Sequence, residues 1–175
     1  MPSTKRGQSS TPVGLKSTSA GRSALDETDR RILGILTVDA RVSVRALAER
    51  LHLSRANAYA RIDRLVQRGV IEGFGARVAP GPAGLTTTAY VAINIEQNSW
   101  RSVSAALQQL PYLDTISLLA SEFDVLVQVH APDNATLRTT VLERIQAIAG
   151  VQDTRTWLVF DEQRGAGTPW DAGAE

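Results

Sequence analysis

The stretch LAERLHLSRANAYARIDRL, residues 47–65, carries two apolar lines at helical spacing, separated by a break at His52-Leu53-Ser54. Before the break, Leu47, Ala48 and Leu51 share one helix face. After it, Ala58, Ile62 and Leu65 recur at i, i+4 and i+7, the spacing of a buried helical stripe. Ser54 suits the start of the second helix, because its hydroxyl can accept from a free N–H of the first turn. Two short helices joined in this way form a helix-turn-helix, whose first helix crosses the DNA backbone and whose second enters the major groove. The elbow needs a positive φ, which glycine adopts at least cost. Here that slot, four residues after Ala48, is His52, which tolerates the conformation better than a β-branched residue.

On the second helix Asn57, Arg61, Arg64 and Arg68 follow i, i+4, i+7 and i+11 and make one polar stripe beside the core stripe. Arg55, Ala56 and Asn57 occupy the first turn, the part of such a helix that reaches base edges. Arginine reads guanine, asparagine reads adenine, and alanine leaves room for close approach or a thymine methyl. Arg64 and Arg68, further along, suit phosphate, as do Ser54 and Arg45 at helix starts with free N–H groups. The same stripe also reads as a solvated helix face, with Asp63 as a local partner for arginine.

Upstream, Leu25-Asp26 opens a first helix with Asp26 as N-cap and Asp29 at its third position. Ile32, Leu33, Ile35 and Leu36 form its apolar face, Ala40-Arg41 breaks it, and Ser43 caps the helix that follows. Gly69 is a left-handed stop for the third helix. Residues 70–79, VIEGFGARVA, read as extended, so residues 25–79 form a helix-turn-helix domain with a following strand. PGPAG then opens a linker over 80–85. Residues 1–24, rich in Ser, Thr, Gly and Pro with Lys5, Arg6, Lys16 and Arg22 and no acid, read as a disordered basic leader.

Beyond the linker the period changes. TTTAYVAINI alternates with Val91, Ile93 and Ile95 on one face; Trp100, Val103, Leu107 and Leu110 follow a helical period. DTISLLA and DVLVQVHA are strands around the turn Ser121-Glu122-Phe123. Leu137, Val141, Ile145 and Ile148 mark a second helix, ended by Gly150, and VQDTRTWLVF is a last strand. The order β-α-β-β-α-β over 86–162 is the ferredoxin-like pattern. It puts both helices on one sheet face and leaves the other uncovered. Cores this small supply few kcal/mol, so the second domain is expected to join copies into dimers. Residues 163–175 read as a flexible tail.

Composition sets further bounds. Of 175 residues 43 % are apolar and none is cysteine, which excludes a disulfide framework and thiolate metal sites and suits the cytoplasm. No apolar run approaches the roughly 18 residues of a membrane span, and the N-terminus lacks the apolar segment of a secretory signal. The net charge of +1 is uneven: residues 25–69 sum to +3 and residues 84–160 to −3, so a polyanion partner is expected for the first half only. His52 and His130, the two histidines, form no metal spacing and no nucleophilic triad, and no phosphate-binding glycine motif occurs. No cofactor, metal or catalytic residue is expected.

Four fragments in order, LDETDRRILGILTVDARVSVRALAERLHLS, RIDRLVQRGVIEGFGARVAP, SEFDVLV and GVQDTRTWLVF, are similar to signatures of the Lrp/AsnC, or feast/famine, transcription regulators. The resemblance runs from about Leu25 to about Glu162. It implies an α+β fold: an N-terminal winged-type helix-turn-helix followed by a ferredoxin-like βαββαβ effector and oligomerisation domain. It also implies double-stranded DNA as partner, dimers that pair through their sheets and associate further to octamers, and a small amino-acid effector held between subunits. By that resemblance Ser121, Glu122 and Asp124 line the effector pocket, and Thr154 and Thr156 match hydroxyl positions that touch effector. The family usually has glycine where this chain has Ser121, whose Cβ takes up space at the ligand. Two other functions share the architecture: an effector-free, architectural DNA-binding protein, and a siroheme decarboxylase-like enzyme, which needs a histidine-rich, basic pocket that residues 84–160 do not offer.

Overall fold

Asp26 starts the first helix, α1 (Glu27–Val38), by accepting from the Asp29 N–H at 2.7 Å. Ser43 and Ser54 do the same for α2 (Val44–Arg50) and α3 (Arg55–Gln67), each accepting from the N–H three residues on. These caps satisfy donors that no helix can satisfy internally. The elbow between α2 and α3 turns at His52 with φ 54, and Gly69 leaves α3 with φ 67. Ile32, Leu33, Leu47, Ala48, Leu51, Ala58 and Leu65 form the core of this unit. Each large side chain buried there contributes about 1.5–3 kcal/mol.

The computed structural model describes residues 25–170. The leader expected over 1–24 and the end of the expected tail, 171–175, lie outside the described residues. Two units are formed: one runs to Phe74 and takes the chain back at Thr168, the other spans Gly75–Gly167. The boundary thus falls ahead of PGPAG, which is no open linker. Ala83, Gly84 and Leu85 donate backbone hydrogen bonds to Ala79, Gly81 and Pro80, making consecutive tight turns. The strand expected over 70–79 makes no ladder within one chain. In the tail read as flexible, Trp170 is half buried against the core of the first unit.

The second unit is one antiparallel sheet of β1 (Thr87–Ile95), β2 (Leu113–Leu118), β3 (Val125–Ala131) and β4 (Val151–Val159), in the order β2-β3-β1-β4. Val91 pairs with Val127 on one side and Thr156 on the other, so β1 and β3 turn their alternating valines and isoleucines to the same face. That face carries α4 (Trp100–Leu107) and α5, a helical segment over 134–146. Val103, Leu107, Leu137, Val141 and Ile145 complete the core. The middle of α5, Leu137–Leu142, widens into π-helical turns. Its buried residues recur every four positions, which in a straight α-helix would drift about 40° per step; the wider turn compensates. Gly150 (φ 95) follows, and a Cβ there would stand 2.8 Å from Ser99 Cβ, so the chain can pass there only as glycine. Together these elements give the expected α+β architecture, helix-turn-helix first and ferredoxin-like domain second.

Candidate nucleic-acid interface and effector turn

At about 100° per residue, the side of α3 opposite Ala58 and Leu65 is the line Ala56, Ala60, Asp63 and Gln67, all exposed. Arg55 and Tyr59 flank it on one side; Asn57, Arg61, Arg64 and Arg68 flank it on the other. The polar stripe read from spacing is therefore present, but it lies beside the outward line, and two of its members face α1. Arg61 Nη1 donates to Asp26 Oδ2 at 2.6 Å and to Asp29 Oδ1 at 2.7 Å. Arg64 Nη2 donates to both Asp29 oxygens at 2.9 Å. Asp29 is 1 % exposed, and a carboxylate so buried requires charged hydrogen-bond partners; the two guanidiniums supply them. The Arg61 hydrogen bond and the Asp29 N–H hold the Asp26 carboxyl below its ordinary value. The same bonds, from Asp26 first and Asp29 second, raise Arg61 above its own.

The remaining expected contact residues sit as follows. Ser54 spends its hydroxyl oxygen on the Asn57 N–H at 3.2 Å. Asn57 Oδ1 accepts from Arg61 Nε at 3.2 Å, and its side chain is exposed. Arg55 and Ala56 are exposed in the first turn, and Arg68 is half buried at the end of α3. Arg45 pairs with Glu49 one turn along α2 at 2.9 Å, with both side chains largely in solvent. Tyr59, 56 % exposed, shares the Arg55 flank and was not singled out from the sequence. A wheel centred opposite Ala58 and Leu65, rather than on the arginine spacing, would have found it.

In the second unit, the turn between β2 and β3 is tied by its own side chains. Ser121 Oγ accepts from the Phe123 N–H at 3.3 Å. Asp124 Oδ2 accepts from the Ile95 N–H at 2.9 Å, beside the register shift at Asn94/Ile95. Phe123, 8 % exposed, meets Trp157 edge-on with centroids 6.0 Å apart, and the Arg155 guanidinium lies 5.2 Å from its ring centre. Arg155 and Trp157 pair with Ala92 and Tyr90, so all three belong to the face without helices. There Tyr90 also donates to Glu162 at 2.9 Å. Thr154 and Thr156 lie on the opposite, helix-bearing face, and Thr154 Oγ1 accepts from Gln146 at 3.2 Å. Val125, next to the turn, and Thr154 pair with opposite sides of Ile93, two strand spacings or about 10 Å apart. The turn residues and the threonines thus share one end of the sheet without converging within a single chain. A cleft of about 760 Å³ lies elsewhere, in the first unit, between Arg30, Arg31, Ile35, Arg50, Leu51 and Trp170.

Comparison with known proteins agrees with both units. Residues 25–72 match the family model described as winged helix-turn-helix DNA-binding, and residues 88–165 match the Lrp/AsnC ligand binding domain. The chain is 35 % identical over 145 residues to the HTH-type transcriptional regulator AldR of Mycobacterium tuberculosis, covering 81 % of each protein. It is 31 % identical over 141 residues to the leucine-responsive regulatory protein of Salmonella typhimurium, covering 79 % of this chain and 86 % of that one. Among solved structures, the transcriptional regulator NMB0573 of Neisseria meningitidis, in complex with L-Met, superposes with a TM-score of 0.74 at 26 % identity, over 81 % of this chain and 94 % of that one. With both halves matched in order and relatives above 30 % identity across most of their length, the chain belongs to the Lrp/AsnC family of helix-turn-helix transcriptional regulators.

Proposed function

We propose that the chain regulates transcription by reading duplex DNA with α3 and that a small amino acid or related effector, bound between subunits, sets its state. The observation that carries the DNA half is the division of labour on α3. Arg61 and Arg64 are engaged by Asp26 and Asp29, which fixes α3 on α1. Arg55, Ala56 and Asn57 stand exposed on its Ser54-capped first turn. In this reading Arg55, Ala56 and Asn57 meet base edges, Arg45, Ser54 and Arg68 meet phosphate, and Arg61 and Arg64 position the helix. The sheet face carrying Trp157, 44 % exposed, pairs two copies into a dimer. Dimers associate further, with the octamer as the expected assembly, in the cytoplasm.

The effector half is supported by the match to the Lrp/AsnC ligand binding domain and by the similar Neisseria regulator solved with L-Met. Ser121 and Glu122 are the exposed members of the turn; in this reading they and Asp124 line one side of a site between copies, to which Thr154 and Thr156 come from another copy. Thermal-shift screening of the twenty amino acids tests this directly. A ligand present at 100 times its dissociation constant adds about 2.7 kcal/mol of stability. A rise in unfolding temperature with one of them, lost in Glu122→Gln, is the expected result. No shift with any would leave the chain as an effector-free DNA-binding protein.

A further inference from the structure

The ion pairs of Arg61 and Arg64 leave one carboxylate of α3 unaccounted for. Asp63 lies on the outward line with Ala56 and Ala60, is exposed, and its side chain has no hydrogen bond or ion pair among the described residues. Its neighbours one turn away, at i±3 and i±4, are Tyr59, Ala60, Val66 and Gln67, none of them basic, so nothing on its own helix neutralises it. The adjacent Arg64 is turned to Asp29. An unpaired anion on the side of α3 that faces a polyanion is repelled unless a specific donor meets it.

We propose that Asp63 is a base-reading residue that selects cytosine. An ionised carboxylate only accepts hydrogen bonds. In the major groove two donors are offered, the N4 amino group of cytosine and the N6 amino group of adenine, and adenine sets an acceptor, N7, beside its donor. Cytosine presents the donor alone, so it is the edge a lone carboxylate fits. Asp63 lies two turns from the start of α3 on the same exposed outward line as Ala56, so it is presented to the same groove as the first turn, at a base step further along. Ala56 and Ala60 on the same line keep the helix surface low enough for a short side chain to reach the bases. This inference rests on α3 being the DNA-reading helix.

The test uses the full chain and a duplex library with randomised positions, selected for binding by wild type, Asp63→Ala and Asp63→Asn. Expected for wild type is a preferred half-site containing a C·G pair whose replacement weakens binding on the order of tenfold. Asp63→Ala is expected to lose preference at that pair alone. Asp63→Asn, which both donates and accepts, is expected to move it toward adenine. If both variants select the wild-type sequence and merely bind every duplex more tightly, the carboxylate only repels phosphate and the proposal is overturned. A wild type that selects no sequence would overturn the reading role of α3 itself, a separate outcome. Circular dichroism of the variants confirms that α3 is kept.

Discussion

Both carboxylate oxygens of Asp29 accept from a single nitrogen of Arg64, each at 2.9 Å, while Asp29 itself is almost wholly withdrawn from water. With Arg61 at 2.7 Å on the same carboxylate, α1 and α3 are joined by charge as well as by their apolar stripes. The bond is directional, so it fixes the rotation of α3 about its own axis, and with it which residues point outward.

Removing Asp29 should therefore disturb both stability and recognition. Breaking a buried ion pair typically costs 3–5 kcal/mol. Here the Arg64 side chain is 48 % exposed and can turn to solvent, so Asp29→Ala is expected to cost about 2–3 kcal/mol. Urea unfolding measures it. Sequence discrimination should fall further than overall DNA affinity, since a rotated α3 still presents positive charge. A variant with wild-type stability and wild-type discrimination would show that the pair does not hold the helix.

The same network predicts an acid limb. Asp26 has its carboxyl held below the ordinary 3.8, by the Arg61 hydrogen bond before any other cause. A group whose pKa is lower in the folded state binds its proton more readily when unfolded. Its stabilisation is therefore present above the unfolded value and lost as pH falls through the folded one. Arg61→Gln should shift acid unfolding of the first unit to higher pH, while leaving stability near neutral pH reduced but insensitive to small pH changes. Coincident acid limbs for the two proteins would contradict the assignment.

Much of this head is legible in the chain itself, because caps and turns are local chemistry. Asp26, Ser43, Ser54 and Gly69 each do what their residue type favours, and His52 carries the positive φ that the elbow demands. The β-α-β-β-α-β order follows from the change between periods of 2 and 3.6. What spacing does not reveal is the partner of a stripe. Asn57, Arg61, Arg64 and Arg68 align on α3, but the acids that claim Arg61 and Arg64 lie 32 to 35 residues earlier. Nor does a four-residue repeat at Leu137, Val141 and Ile145 announce a π-turn, since α and π turns share it to within a small drift. Trp170, isolated in a polar tail, gives no period at all.

The proposed contact residues of α3 should separate by the kind of information they read. Arg55→Ala or Asn57→Ala is expected to lose roughly 1–3 kcal/mol of discrimination at one base position. Arg68→Ala should weaken binding to all duplexes alike and lower the dependence of affinity on salt, since a phosphate contact releases counterions whatever the sequence. Fluorescence anisotropy on a preferred and a scrambled duplex, each over a salt series, separates the two. Equal loss on both duplexes from all three variants would remove the base-contact assignment.

Phe123 supplies the last test, because it divides the turn's packing from its polar groups. Its neighbours Ser121, Glu122 and Asp124 are the expected effector residues, yet Phe123 itself turns to the face without helices, under Trp157 and beside Arg155. Burial of the ring draws the turn down onto β4, while Asp124 ties it to β1 through the Ile95 N–H. Phe123→Ala deletes the ring and is expected to cost about 3 kcal/mol, which includes an aromatic pair and a cation–π contact of order 1 kcal/mol each. Phe123→Leu keeps most of the volume and should restore more than half of that. The fluorescence of Trp157, compared with a Trp157→Phe control, should shift to the red in Phe123→Ala as the ring loses its cover. If the turn is the effector's seat, the amino-acid-dependent thermal shift should vanish in Phe123→Ala and persist in Phe123→Leu. A shift kept at full size in the alanine variant would mean that the effector binds without this turn being held in place.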